Sequence, residues 1–461
     1  MIFTDRTDTI AAVCTAPGMG AIAVIRISGT DAVAITDTLW RGKPLADAPS
    51  HTAHLGFITD TAGNDIDQAV ATVFRAPSSY TGENTVELSC HGSTYIQQAV
   101  LNALVDSGVR IAMPGEFSQR AFANGKVDLA QAEGIADLIA SRSAEAHRLA
   151  LSQTKGAFSH ELDTLRQKLI DLASLIELEL DFSEEDVSFA DRTQLLELCG
   201  YTLGKVTALA GSYAQGRVIR DGYPVAIVGA PNAGKSTLLN TLVGDDIAIV
   251  SQIPGTTRDA IQATTLIGGS LFRLIDTAGL RETDDTVERL GIGRTHRHIE
   301  QASAIVWLID PTDNPMRQLD EAAGTLAGSA AQHKIIAVGK RDLADTTSLV
   351  SHIKSAYPEY TTVAISSLDT GGIEPLLEQL RKIGNTASTA DVTVTNARHY
   401  HALCKTRDAL ERVRDGLEGG ISGDFVAQDL RQATAALGTI TGAVTTDTLL
   451  ATIFSRFCVG K

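Results

Sequence analysis

Residues 229–236 read Gly-Ala-Pro-Asn-Ala-Gly-Lys-Ser and fit G-x-x-x-x-G-K-S, a spacing suited to holding a row of phosphates. The glycines let the main chain approach an anion closely. The Lys235 ammonium can reach the β- and γ-phosphates, and the Ser236 hydroxyl is a hard oxygen donor for Mg²⁺. Asn232, Ala233 and Gly234 complete the loop, and Thr237 opens the run that follows. Further along, Asp276-Thr277-Ala278-Gly279 gives D-x-x-G, in which the aspartate meets Mg²⁺ through water and the glycine N–H senses the γ-phosphate. Thr257, within Pro254-Gly-Thr-Thr-Arg-Asp259, lies between them and is placed to complete the Mg²⁺ shell. In this order the three motifs predict a Ras-like GTPase domain.

Two positions depart from the Ras pattern. The residue after D-x-x-G is Leu280, where a water-orienting glutamine is expected. An apolar side chain cannot orient water, and the acidic residues downstream (Glu282, Asp284, Asp285, Glu288) are not separable by spacing. The base-reading motif N-K-x-D is replaced by Gly339-Lys340-Arg341-Asp342. Asp342 keeps the carboxylate that accepts from guanine N1–H and the 2-amino group. Gly339 lacks the side-chain amide, a loss of about 1–2 kcal/mol of hydrogen bonding. Ser366, Ser367 and Leu368 stand where a last guanine-contacting loop belongs, and guanine is the expected base.

These loops need a scaffold. Apolar runs at 225–228, 271–275, 304–309, 334–338 and 362–365 alternate with helical segments, predicting a mostly parallel α/β sheet. A phosphate loop between the first run and a helix is the arrangement that aims backbone N–H groups at an anion. On both sides of this domain the apolar spacing is helical: 128–153, 158–182 and 192–214 before it, 398–417, 424–437 and 445–457 after it. Residues 218–224 read as the break before the first strand. Long helices need partner faces, so the two sets predict one discontinuous bundle interrupted by the GTPase domain. Residues 1–120 show strand-like runs at 21–28, 69–74 and 85–90 and a helix over 97–107, an α+β domain. The expected division is 1–120, 121–220, 221–383 and 384–461. Arg26 and Glu87 sit inside apolar strand runs and need partners. The residues alone read them as a structural ion pair or as the solvent side of an edge strand.

Composition bounds the rest. With 461 residues, 44% apolar and 20% charged, this is a multidomain globular chain. No apolar run spans a bilayer and the N-terminus lacks a signal-peptide pattern, so a cytoplasmic location without membrane attachment is expected. The five scattered cysteines form no C-x-x-C, which argues for reduced thiols and against a zinc site. A net charge of −16 gives no global basic footprint for nucleic acid.

Beyond the GTPase motifs, Gly20-Ala-Ile-Ala-Val-Ile-Arg-Ile-Ser-Gly29, Tyr80-Thr-Gly-Glu-Asn-Thr-Val-Glu-Leu88, Pro114-Gly-Glu-Phe-Ser-Gln-Arg-Ala-Phe122, Asn124-Gly-Lys-Val-Asp-Leu-Ala-Gln-Ala-Glu133 and Phe457-Cys-Val-Gly-Lys461 together resemble the tRNA-modification GTPase family MnmE (TrmE). The resemblance runs from the first strand to the last residue. It implies an N-terminal folate-binding and dimerising domain, and a GTPase domain inserted in a helical domain. It also implies a flavoprotein partner of MnmG type in a heterotetramer. The implied reaction adds a carboxymethylaminomethyl- or aminomethyl-type group at C5 of the wobble uridine of tRNA, with 5-formyl- or methylene-tetrahydrofolate as carbon donor. Arg26, Glu87, Lys126 and Lys461 fall on the folate positions. Asn232, Ser251, Ile253 and Thr256 fall on those that ligate a K⁺ ion standing in for an arginine finger. Gln252, Pro254 and Gly255 belong to the same GTP-contacting loop, and the water-positioning carboxylate falls on Glu288. Cys458 is a candidate nucleophile; Cys14, Cys90, Cys199 and Cys404 read as structural. The rival reading is a regulatory GTPase in ribosome or RNA maturation, with no folate chemistry.

Overall fold

A computed structural model describes residues 8–181, 192–244, 262–276, 299–300, 302–368, 370–385, 392–455, 457–458 and 460. Ser251, Gln252, Ile253, Pro254, Gly255, Thr256, Thr257, Thr277, Ala278, Gly279, Leu280, Glu288 and Lys461 lie outside them, as does the side chain of Asp276. The chain divides into two compact units: residues 1–136, 151–204 and 402–461, and residues 137–150 and 205–401.

In the first unit the elements are β1 (Ile10–Val13), β2 (Ile22–Ser28), α1 (Ala32–Thr38), β3 (Trp40–Gly42), β4 (Thr52–Thr59), β5 (Asp65–Phe74), β6 (Thr85–His91), α2 (Thr94–Asp106), β7 (Arg110–Ile111) and α3 (Glu116–Ala123). They form a seven-stranded sheet in the order β3-β4-β5-β6-β2-β1-β7. Only three of these strands were expected from sequence. β2 and β6 carry their apolar residues on alternating positions, so Ile25, Ile27, Val86 and Leu88 go to the core with Val100 and Leu104 of α2.

Glu116 and Arg120, at 4% and 7% exposure, anchor α3 to the sheet edge. The Glu116 carboxylate accepts from Arg110 Nη2 at 2.5 Å and from the Met113 N–H at 2.8 Å, while Arg120 reaches Asp8 Oδ1 at 2.8 Å. Burial alone raises the Glu116 pKa. Its bonds to Arg110 and Met113 and the charges of Arg110 and Arg120 outweigh that and hold it below the usual 4.5. A lowered folded value contributes stability above the unfolded pKa, and that stability is lost as pH falls through the folded one. Glu116→Gln is therefore expected to cost roughly 1–3 kcal/mol at pH 7. The gap to wild type should close toward pH 3 in urea unfolding; a gap of equal size at both pH values would contradict this.

The helices that follow are α4 (Leu129–Ala140), α5 (Ala144–Thr154), α6 (Ala157–Asp181), α7 (Arg192–Gly211) and α8 (Tyr213–Asp221). The expected single helix over 128–153 is two helices, broken at 141–143, where the Ser141 hydroxyl turns back to the Leu138 carbonyl. The segment 192–214 likewise divides at Ser212. The break expected at 218–224 is narrower: α8 continues to Asp221, and Gly222, at φ 88°, turns the chain into the next strand.

The second unit holds β8 (Tyr223–Gly229), α9 (Lys235–Val243), β9 (Gln262–Ile267), β10 (Ser270–Asp276), β11 (Ala304–Ile309), α10 (Pro315–Gly328), β12 (His333–Val338), α11 (Thr347–Ala356), β13 (Thr361–Ala364) and α12 (Glu374–Gly384). The sheet order is β13-β12-β11-β8-β10-β9. All pairs are parallel except β9 with β10, an antiparallel edge strand that apolar periodicity did not reveal. The central β8 and β11 are apolar nearly throughout, as strands covered on both faces must be.

The last helices are α13 (Ala397–Gly419), α14 (Gly423–Thr441) and α15 (Asp447–Phe454). Within the first unit α6 packs along α14, and α7 meets α13, where the Cys199 thiol donates to the Leu410 carbonyl and Arg192 Nε to the Leu417 carbonyl. Helices from both sides of the 205–401 segment thus form one bundle. The molecule is an N-terminal α+β domain, a discontinuous helical bundle and an inserted Ras-like P-loop domain. Among the described residues no helix is long and apolar enough to cross a membrane.

Candidate functional site

The phosphate loop leaves β8 at Gly229 and enters α9 at Lys235. Gly229 has φ 152°, and a Cβ there would lie 2.4 Å from the Leu308 carbonyl oxygen, so only glycine lets β8 and β11 stay paired at the loop's root. Asn232, at φ 59°, and Gly234, at φ 100°, take left-handed conformations that curl the loop around its own backbone. Asn232 is exposed, Ala233 is buried, and Ser236 and Thr237 face outward on the first turn of α9. The Lys235 ammonium is buried inside the loop and donates to the Gly229 and Ala230 carbonyls at 2.9 and 2.7 Å. A cation held by carbonyls at a helix N-terminus is an anion cradle. The Ser236 hydroxyl fits a Mg²⁺ ligand by donor type, and the Asn232 side-chain oxygen fits a K⁺ ligand in the same way.

The base-reading segment follows β12. Ser366 Oγ donates 2.8 Å to Asp342 Oδ1, and the Arg341 N–H donates 3.2 Å to the Ile365 carbonyl. The carboxylate is therefore oriented by the loop expected to contact guanine, a pairing that sequence spacing did not announce. Lys340 Nζ lies 2.5 Å from Asp310 Oδ2. Burial raises the Asp310 pKa, but its bonds to Lys340 and Thr312 outweigh that and hold it below the usual carboxylate value. Thr241 of α9 donates 2.7 Å to the Ser367 carbonyl, tying the phosphate helix to this loop. Leu368 is 72% exposed.

A second constellation lies in the first unit. Arg26 and Glu87 face each other across β2 and β6, with Arg26 Nε and Nη2 each 2.8 Å from Glu87 Oε1. The ion pair that one reading expected is formed, and its side chains keep 16% and 26% exposure. The guanidinium carbon lies 5.1 Å from the Tyr80 ring centroid and 5.6 Å from that of Phe117. The Tyr80 hydroxyl and Ser118 Oγ are 2.7 Å apart, and burial pushes the phenol pKa up. Lys126 Nζ donates 3.0 Å to the Pro77 carbonyl.

The C-terminal segment reaches the same neighbourhood. The Gly115 N–H donates 3.3 Å to the Cys458 carbonyl, and the Cys14 thiol donates 3.1 Å to the Gly460 carbonyl. A Cβ at Gly460 would come within 2.5 Å of the Val13 carbonyl. Cys458 is exposed, whereas Cys90 and Cys199 are buried, their thiols pushed up to about 11 mainly by desolvation. Cys14, read as structural from sequence, is a contact of the C-terminal tail.

An ammonium-lined phosphate loop on a parallel sheet, with a fixed carboxylate beyond the carboxyl end of β12, defines the class: a P-loop GTPase built into a larger molecule. Residues 9–126 match the model of the GTP-binding protein TrmE N-terminus and residues 129–458 that of the MnmE helical domain. A tRNA modification GTPase MnmE of Parabacteroides distasonis is 47% identical over 461 residues, covering 98% of this chain and 100% of its own. The protein of that name from Salinibacter ruber is 46% identical over 465 residues, covering 99% and 100%, and that from Flavobacterium psychrophilum 46% over 461 residues, covering 98% and 99%. The chain belongs to the tRNA modification GTPase MnmE family. It is a GTP hydrolase that acts in tRNA modification, with GTP as substrate.

Proposed function

We propose that this chain is a K⁺-stimulated GTPase. With an MnmG-type flavoprotein it adds an aminomethyl- or carboxymethylaminomethyl-type group at C5 of the wobble uridine. The observation that carries this reading is the seating of Cys458 and Gly460 on Gly115 and Cys14, near the Arg26–Glu87 pair. The tail is held there by its backbone at Cys458 and Gly460, in the neighbourhood of a carboxylate and a cation that retain exposure. That donor set fits a reduced folate: Glu87 accepts from the pterin's N–H edge, while Arg26, Lys126 and Lys461 suit its anionic glutamate tail. The folate, when bound, supplies the carbon that the reaction transfers. Arg26 orients Glu87 through its two contacts at 2.8 Å, and Cys458 remains a candidate nucleophile. A cytoplasmic homodimer, the heterotetramer with the flavoprotein and the division at residues 120, 220 and 383 belong to the same proposal.

In the GTPase domain Lys235 holds the β- and γ-phosphates, Ser236 and Thr257 hold Mg²⁺, and Glu288 positions the attacking water that Leu280 cannot orient. Asn232, with Ser251, Ile253 and Thr256, holds the K⁺. GTP hydrolysis is accordingly expected to run at least severalfold faster in K⁺ than in Na⁺, and to lose that difference in Asn232→Ala. Equal wild-type rates in the two salts would sink the K⁺ assignment.

A further inference from the structure

We infer that Gly339 leaves the N7 edge of the bound purine unread, so that base recognition by this GTPase rests principally on Asp342. Guanine presents two different edges. N1–H and the 2-amino group are donors and need a carboxylate; N7 and O6 are acceptors and need N–H donors. The structure supplies the first in fixed form, since Ser366 Oγ holds Asp342 Oδ1 at 2.8 Å. Gly339 and Asp342 are the two ends of the four-residue base-reading segment. A base whose donor edge is taken by Asp342 turns its imidazole edge toward position 339.

Three donors of the segment are already engaged. The Gly339 N–H is already bonded to the Ile309 carbonyl at 2.9 Å, the Arg341 N–H to Ile365, and Lys340 Nζ is paired with Asp310. A side-chain amide at 339 would supply the missing donor, and glycine has none.

The glycine is not demanded by the fold. Its φ lies outside the left-handed region, in contrast to Gly229 and Gly234 of the phosphate loop. A Cβ built on it meets only Leu308 Cδ1 at 3.2 Å, the end of a flexible side chain. The next neighbours are the Ile309 carbonyl oxygen at 3.5 Å and the Ala233 carbonyl oxygen at 3.7 Å, both ordinary contact distances. That Cβ is in contact range of the phosphate loop's own backbone, so a side chain at 339 can brace base segment against loop as well as read the base. With no backbone reason for glycine, and only the Leu308 side chain needing to give by a few tenths of an ångström, its consequence falls on the ligand.

The test uses the full-length protein and two nucleotides, GTP and 7-deaza-GTP, which has C–H in place of N7 and is otherwise the same base. Wild type is expected to bind the two within about twofold of each other, and Gly339→Ala to do the same. Gly339→Asn is expected to bind GTP roughly 5- to 30-fold more tightly than wild type, the span of one gained hydrogen bond, with little gain for 7-deaza-GTP. A wild-type preference for GTP of more than about fivefold overturns the inference, as does an asparagine variant that gains equally for both nucleotides. Should the asparagine protein fail to fold, the wild-type ratio decides alone.

Discussion

A Lys235→Ala protein is expected to bind GTP roughly 100-fold or more weakly than wild type. The ammonium now rests on the Gly229 and Ala230 carbonyls inside a loop whose curvature is fixed by left-handed Asn232 and Gly234. Phosphate oxygens replace those carbonyls with charge-assisted bonds of about 1.5–3 kcal/mol each. Two such bonds amount to at least two orders of magnitude in affinity. The loss belongs to the second unit, so folate binding by the same variant is expected to be unchanged. Titration with a fluorescent GTP analogue reads the first expectation and equilibrium dialysis with 5-formyltetrahydrofolate the second. A Lys235→Ala protein that keeps wild-type GTP affinity would remove the phosphate cradle from the functional account.

Glu87→Ala should do the converse: folate binding falls at least about 30-fold while GTP hydrolysis continues at the wild-type rate. Two effects combine. The acceptor for the pterin edge is gone, and Arg26, only 16% exposed and stacked between Tyr80 and Phe117, is left without its carboxylate. Removing one partner of such a pair costs about 1–3 kcal/mol of stability as well. Glu87→Gln separates the effects, because it keeps an acceptor oxygen for Arg26 and loses only the charge. It should restore stability toward wild type without restoring folate affinity. Wild-type folate affinity in both variants would show that the Arg26–Glu87 pair is structural and nothing more.

The phosphate loop was legible because strand, loop and helix are contiguous and each has a local signature. The same holds for β11 and β12, apolar runs between turn residues. What was hidden depended on distant contacts. β3 and β7 are three and two residues long, too short for any period, and β9 lies at an edge with its polar residues crowded into its first four positions and no regular alternation. The breaks between α4 and α5 and between α7 and α8 leave helical spacing intact on both sides, so periodicity ran across them. In the sites, Asp342 was found from its motif but Ser366 as its anchor was not. The seating of Gly460 against Cys14 joins residues 446 positions apart, and no local pattern encodes it. Nothing local to Tyr80 or Phe117 marks either as a neighbour of Arg26; only the fold brings their rings to its guanidinium.

The most direct measurement is the extent of wobble-uridine modification in tRNA from a strain lacking its own copy of this gene, complemented with wild type, Lys235→Ala or Glu87→Ala. If the phosphate loop and the Arg26–Glu87 constellation serve one reaction, wild type restores the modification and each variant fails, although each retains the activity of the other site. Full modification with Glu87→Ala would contradict that outcome and leave a GTPase whose first domain has some other purpose.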